Sequence, residues 1–266
     1  MADLYVYGDS FAVDWREPWV WIRQFAERMR VDNCHVQACS GTNNEWIVKT
    51  FRDDRHQPGD IVLVFITEPS RQWFFEDKPY LSNLASILDT QDAKQIQKTE
   101  RDKYDAIISY YEHIHRDDLS ELRLQMMTDF LRVKSIEREI HLQVIPCFIM
   151  NIDWTDLNPT LGNMTMSICD REFANPDDLH TWYSQSIDTR ANHMTFENHR
   201  IFADKLVQRF TKGGVLDLDT GFKTGFLQLS DKLTHPGLCA ELVGMAMEPG
   251  NTIPKEHFPP KKSPTI

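Results

Sequence analysis

Six consecutive apolar residues, Ile61–Ile66, lie between the turn signal Pro58-Gly59-Asp60 and the polar Thr67. A short run with no polar alternation reads as a strand covered on both faces. Such strands belong to parallel sheets sandwiched between helices. The preceding sequence supports this. Leu4–Tyr7 reads as a strand ending in the turn Gly8-Asp9-Ser10, and Val36–Cys39 as a second strand ending in Ser40-Gly41-Thr42-Asn43. Between them Pro18 opens a helical pattern with Trp19, Ile22, Phe25, Ala26 and Met29. After the second strand Trp46, Ile47 and Phe51 share one helix side. This alternation predicts a three-layer α/β/α fold around a flavodoxin-like parallel sheet.

The rhythm breaks after Thr67. Residues 76–116 are polar and partly helical, with Tyr104, Ile107, Ile108 and Tyr111 at helical spacing. They read as a helical insertion, and the stretch from Asp89 to Lys103 as too polar for a core. Asp118 with Glu121 resembles a capping box. It opens a helix whose apolar set is Leu119, Leu122, Met126, Phe130 and Val133. Leu142–Ile149 is a fourth strand, although Pro146 removes a ladder donor. A last helix starts near Thr195 with Phe196, Ile201, Phe202 and Leu206. One domain is expected over residues 1–212. Residues 213–266 are expected to be an irregular, partly disordered extension, since the stretch from Pro249 to the end holds five prolines and little to bury.

A net charge of −11 argues against a groove that follows nucleic-acid phosphates and against affinity for anionic membranes. The five cysteines form no Cys-x-x-Cys pair, so neither a zinc knuckle nor a redox motif is supported. Free thiols in a reducing compartment are expected, as is a cytoplasmic location, since the N-terminus reads as a strand rather than a signal peptide. Nothing points to a metal or a cofactor. The pattern says nothing of oligomeric state.

Three blocks carry chemistry. Gly8-Asp9-Ser10 ends the first strand, where open α/β sheets bind their ligands. Gly41 lets a backbone N–H approach a substrate oxygen, with Asn43 and Asn44 beside it; taken alone, the block reads first as an ordinary strand-to-helix turn with Asn43 as the N-cap. His193 lies in Asn192-His193-Met194-Thr195, just before the last helix, whereas His199 falls inside that helix and is expected to pack or make a structural hydrogen bond.

In this order the blocks resemble the SGNH (GDSL-type) hydrolase superfamily, over roughly residues 3–75 and 119–211. The resemblance implies a serine esterase with Ser10 as nucleophile, His193 as base and the N–H groups of Ser10 and Gly41 facing the oxyanion. Arg190 stands three residues before His193, where the family usually has Asp, so Asp188 is the candidate third member; a Ser–His dyad is the alternative. The third strand is followed by Thr67-Glu68-Pro69-Ser70-Arg71, without the family's usual Asn, so Ser70 or Arg71 is the candidate donor. The expected substrate is a small ester, favouring an acyl group on a sugar because Trp15, Trp19 and Trp21 lie near Ser10, although these read at least as well as core or helix-packing residues. A catalytically degenerate module of the same fold, binding a glycan or serving as part of an assembly, is the rival. Residues 76–116 leave from the third strand's carboxyl end and are expected to cap Ser10, with a structural or oligomer-contact role as the alternative.

Overall fold

The run Ile61–Ile66 is a strand, β3, buried at every residue. It lies inside a parallel sheet whose other strands are β1 (Leu4–Gly8), β2 (Cys34–Ala38) and β4 (His141–Pro146), in the order β2-β1-β3-β4. The computed structural model describes residues 2–13, 20–77, 79–83, 87–88, 91–148, 194 and 196–222. The helices are α1 (Trp21–Met29), α2 (Asn44–Asp53), α3 (Gln91–Thr99), α4 (Arg101–His113), α5 (Asp117–Glu137) and α6 (Phe196–Lys212).

The register assigns the two faces. Tyr7 pairs with Gln37 and Val64, and Val64 with Val144. The Tyr7 ring meets Phe51 of α2 edge-on, so this face lies under α2, with α5 packed beside it. Phe65 points the other way and meets Trp21 of α1 and Phe202 of α6. The three-layer, flavodoxin-like architecture is therefore the one the sequence predicts. Pro146 is tolerated because it is the last residue of β4; the next residue, Cys147, donates to Ile66 O at 2.9 Å. The strand ends there, three residues before Ile149. No helix among the described residues is long and apolar enough to cross a membrane.

Two expectations about the later helices need correction. Of the apolar set expected on the core face of α5 only Phe130 packs on the core: Leu119, Leu122, Met126 and Val133 are exposed, and the buried residues are Ser120, Leu124, Thr128 and Leu131. Asp118 is not the N-cap. Arg116 is the N-cap residue without a side-chain cap bond, and Asp118 lies in the first turn, paired with the Arg116 guanidinium at 2.5 Å.

The insertion has its own small core of Phe75, Leu81, Ile87, Ile96, Tyr104 and Ile107. Ile96, in the stretch read as too polar, is buried there on α3. The main core also reaches past residue 212, since Leu216, Leu218 and Phe222 are buried in it.

Candidate active site

The order β2-β1-β3-β4 has a switch point between β1 and β3. The connection from β1 runs through α1 on one face, and that from β3 leads to α5 on the other. Ligands of open α/β sheets bind in the crevice that this divergence opens at the carboxyl ends. Ser10 follows β1 and Arg71 follows β3, on either side of it.

Gly8 is required by packing. A Cβ there would lie 2.5 Å from Phe65 Cβ and 2.9 Å from Ala12 Cβ, because Phe65 fills that face with Trp21. With no side chain at Gly8 the chain turns at once into a 3-10 turn over Ser10–Ala12. Asp9 caps this turn: Oδ1 accepts from Phe11 N at 3.1 Å, and its carbonyl accepts from Ala12 N at 3.1 Å. Asp9 is fully buried and Ser10 half-buried, so the turn presents the serine and hides the acid.

The second turn is tied to the first. Cys39 N donates to Gly8 O at 3.0 Å. Gly41 has φ +75°, in the left-handed region, with Tyr80 O 3.4 Å from where its Cβ would be. Glycine fits because it populates positive φ freely and adds nothing toward Tyr80. The Gly41 N–H makes no hydrogen bond within the described residues, while its carbonyl accepts from Ser82 Oγ at 2.6 Å.

The neighbouring asparagines are committed to structure. Asn43 Oδ1 caps α2 by accepting from Trp46 N at 2.8 Å, and its amide donates to Pro79 O at 3.1 Å. Asn44 exchanges two bonds with Thr67, accepting from its N at 2.9 Å and donating to its O at 3.0 Å. They fix the β2 and β3 turns relative to each other.

Of the two candidates after β3, Arg71 reaches across the edge. Its Nε donates to Glu68 Oε2 at 3.0 Å, and its Nη1 to Thr42 O at 3.3 Å. The guanidinium lies 5.3 Å from the Phe148 ring centroid, and that ring meets Phe11 edge-on at 5.8 Å. Phe148 thus links the turn holding Ser10 to the loop after β3, a role the sequence reading missed. Ser70 contributes its carbonyl, which accepts from Gln72 Nε2 at 3.4 Å and Tyr111 Oη at 3.5 Å.

Four buried side-chain oxygens at this edge have no hydrogen-bond partner among the described residues: Asp9 Oδ2, Thr42 Oγ1, Glu45 Oε2 and Thr67 Oγ1. They follow β1, β2 and β3 or open α2. Buried polar atoms are nearly always satisfied, so four together mark where a ligand or water completes the set. Burial pushes the Glu45 carboxyl above the usual range, against the lowering effect of its own backbone bond and of Arg123 at 3.0 Å. Cys39, a free thiol at the end of β2, is pushed up by burial as well, away from a reactive thiolate.

The structure thus brings Ser10, Gly41, Asn43, Asn44, Ser70 and Arg71 to one edge. His193 and Asp188 lie outside the described residues, as do Trp15 and Trp19. Met194, the residue after His193, is buried in the main core. His199 is structural, as expected: it is buried, and its Nδ1 accepts from Trp21 N at 3.3 Å, capping α1. Trp21 leaves the list of sugar-stacking candidates, since it is fully buried with its indole N–H on Phe11 O at 3.0 Å.

No family model matches the chain, and no match was found among curated proteins. Two solved structures are similar to it. One is a member of the lipolytic protein G-D-S-L family from Veillonella parvula, 11 % identical over 80 % of this chain and 100 % of that one, with a TM-score of 0.28. The other, from Desulfitobacterium hafniense, is assigned to the same family; it is 10 % identical over 63 % of this chain and 91 % of that one, with a TM-score of 0.25. Neither likeness carries the reading of the site, which rests on the geometry above.

Proposed function

We propose that the chain is a serine ester hydrolase working through an acyl-serine intermediate. One observation carries the reading: Ser10 sits in a capped turn at the switch point, at the same sheet edge as the Gly41 turn, whose N–H is unbonded among the described residues, and as four buried oxygens that also lack partners among them. In this reading His193 takes the Ser10 proton as Oγ attacks the ester carbonyl. The N–H of Gly41, with that of Ser10, stabilises the oxyanion; one such donor is typically worth about 3–4 kcal/mol in the transition state. The alcohol leaves with the proton from His193, and water attacks the acyl-serine by the same route. Asp188 holds the imidazole, as the acid of a serine triad does. Arg71 takes the place of the absent Asn, since it already spans the loops after β2 and β3.

The substrate class is a small acyl ester, with an O-acyl carbohydrate favoured by Trp15 and Trp19 in the sequence before α1. The insertion acts as a cap over this edge. Ser82 and Pro79 are hydrogen-bonded to the Gly41 turn and Asn43, and Tyr111 Oη donates to Ser82 O at 2.8 Å. A second reading, a non-catalytic glycan-binding module, is favoured by Arg190 in place of an acid and by Thr67–Arg71 without Asn.

Hydrolysis of a short-chain nitrophenyl ester separates the two. The wild-type chain should turn the ester over and Ser10→Ala should not, with unchanged circular dichroism. Equal rates for both proteins would overturn the esterase reading.

A further inference from the structure

The insertion reaches the Gly41 turn through one side chain. Ser82 is fully buried, and its Oγ donates to Gly41 O at 2.6 Å. Gly41 belongs to the β-turn Cys39–Thr42, which the bond from Thr42 N to Cys39 O closes at 3.2 Å. Its φ of +75°, with Ser40 outside the positive region, makes this a type II turn with glycine in third place. The central peptide of the turn, Ser40–Gly41, carries the Gly41 N–H. That peptide has little of its own to hold it. Among the described residues the N–H makes no hydrogen bond, and the Ser40 carbonyl accepts from the Cys39 thiol, a weak donor, at 3.8 Å.

The direction of this N–H is therefore set by how the two ends of the turn are held. The first end is fixed within the sheet, since Cys39 N donates to Gly8 O at 3.0 Å, beside the turn that holds Ser10. The second end is the Gly41 carbonyl, held by Ser82, with Arg71 on the next carbonyl, Thr42 O, at 3.3 Å. Tyr80 O lies 3.4 Å from where a Gly41 Cβ would stand, so the insertion also backs the turn sterically. Ser82 is itself anchored: its carbonyl accepts from Gln72 N at 2.6 Å and from Tyr111 Oη of α4 at 2.8 Å.

We propose that Ser82 is a positioning residue: its hydroxyl holds the Gly41 carbonyl so that the Gly41 N–H stays where the oxyanion develops. The proposal rests on the esterase reading above and gives the insertion a part in the chemistry besides capping the edge. The bond to Gly41 O exists before substrate arrives, so the donor need not reorganise as charge develops. A misplacement of about 1 Å in such a site can cost about 100-fold in rate. An oxyanion donor acts on the transition state rather than on the bound ester, so its displacement is read in kcat and not in KM.

Ester kinetics and one amide resonance of the full chain test this together. With a short-chain nitrophenyl ester, well below the melting temperature, Ser82→Ala should lower kcat about 10- to 100-fold and leave KM within about twofold. Ser82→Cys, whose thiol is the weaker donor, should fall between. Ser40-Gly41 is the only Ser-Gly pair in the chain. Cell-free synthesis with isotope labels on the serine carbonyl carbon and the glycine nitrogen therefore isolates the Gly41 N–H by nuclear magnetic resonance. Its signal should be single and sharp in the wild-type chain and split or broadened in Ser82→Ala. Unchanged kcat in Ser82→Ala, with or without a raised KM, would make the insertion a cap only and overturn the proposal. So would a Gly41 signal as sharp in Ser82→Ala as in the wild type. A wild-type chain inert toward the ester would sink the esterase reading instead. Splitting or broadening in Ser82→Ala would then still support the hold on Gly41, and an unchanged signal would overturn it.

Discussion

The sheet face under α2 and the carboxyl edge of the same sheet treat buried polar groups in opposite ways. Under the second half of α2 the polar groups bond one another. Arg138 Nη1 donates to His56 Nδ1 at 2.7 Å, which leaves the proton on Nε2, 2.8 Å from Tyr7 Oη. Tyr7 in turn donates to Asp54 at 2.5 Å. The same guanidinium also bonds the carbonyls of Phe51, Asp54 and Arg52, closing the end of α2. Asp60 accepts from Asp3 N and Gln57 N. At the carboxyl edge, by contrast, four oxygens lack partners among the described residues. A network closed on itself returns stability and rigidity. One left open costs stability, and its role is met by what comes to fill it. The difference assigns Tyr7, His56 and Arg138 to structure, whereas the proposed function uses the open oxygens of Asp9, Thr42, Glu45 and Thr67 for its ligand.

The largest effect expected on activity is at the base. His193→Ala should lower kcat by roughly three to six orders of magnitude in a folded protein. His199→Ala should instead lower stability, because it removes the acceptor for Trp21 N. Steady-state kinetics with melting curves on both variants checks the pair. The reverse result would move the base to α6 and break the contrast.

The largest effect expected on stability is in the closed network. Arg138→Ala leaves His56 and three carbonyls without their donor and should cost about 2–3 kcal/mol in urea titration. Turnover per folded molecule should not change. A large loss of kcat there would mean that the two regions are coupled.

The pH dependence follows from His56. Burial first, and the neighbouring Arg138 second, lower its pKa from 6.5 to about 4. The folded state thus holds the neutral ring, and its advantage is full above pH 6.5. It is lost as pH falls from 6.5 through about 4, where the unfolded chain binds a proton that the folded chain refuses. Stability should decline across that window, and a His56→Gln variant should decline less steeply.

The smallest effect is the sharpest. Thr67→Val removes an unsatisfied buried hydroxyl at nearly constant shape, so stability should hold or rise by up to about 1 kcal/mol. Ester turnover should nevertheless fall if that hydroxyl serves the ligand. A clear loss of stability would show that the oxygen was satisfied and belongs with the closed network.

Local patterns in the sequence carried much of this. The uniform run Ile61–Ile66 and the glycines at 8 and 41 sufficed for a buried parallel sheet and for two turns at its carboxyl edge. In α5 periodicity points to the wrong face because the helix has two apolar sets. The more conspicuous one faces water, while the buried face includes Ser120 and Thr128. Thr128 Oγ1 donates to Leu124 O at 3.0 Å and Ser120 Oγ lies 3.2 Å from His115 Nε2, so burying them costs little. Periodicity cannot see such satisfaction. Nor can it see Phe148, whose role depends on Phe11 and Arg71 arriving from distant parts of the chain. The asparagines show a third limit: the N-cap role read for Asn43 holds, but its bond to Pro79 and the pair of bonds between Asn44 and Thr67 join distant parts of the chain.

The most direct test of the open edge is covalent. A fluorophosphonate probe reacts with a serine whose hydroxyl is activated by a base and whose oxyanion is held by N–H donors. Incubation of the full chain with the probe, followed by peptide mapping, should place the label on Ser10 alone, and Ser10→Ala should take up none. Labelling elsewhere, or undiminished labelling of the Ser10→Ala protein, would contradict the assignment of this edge to serine catalysis.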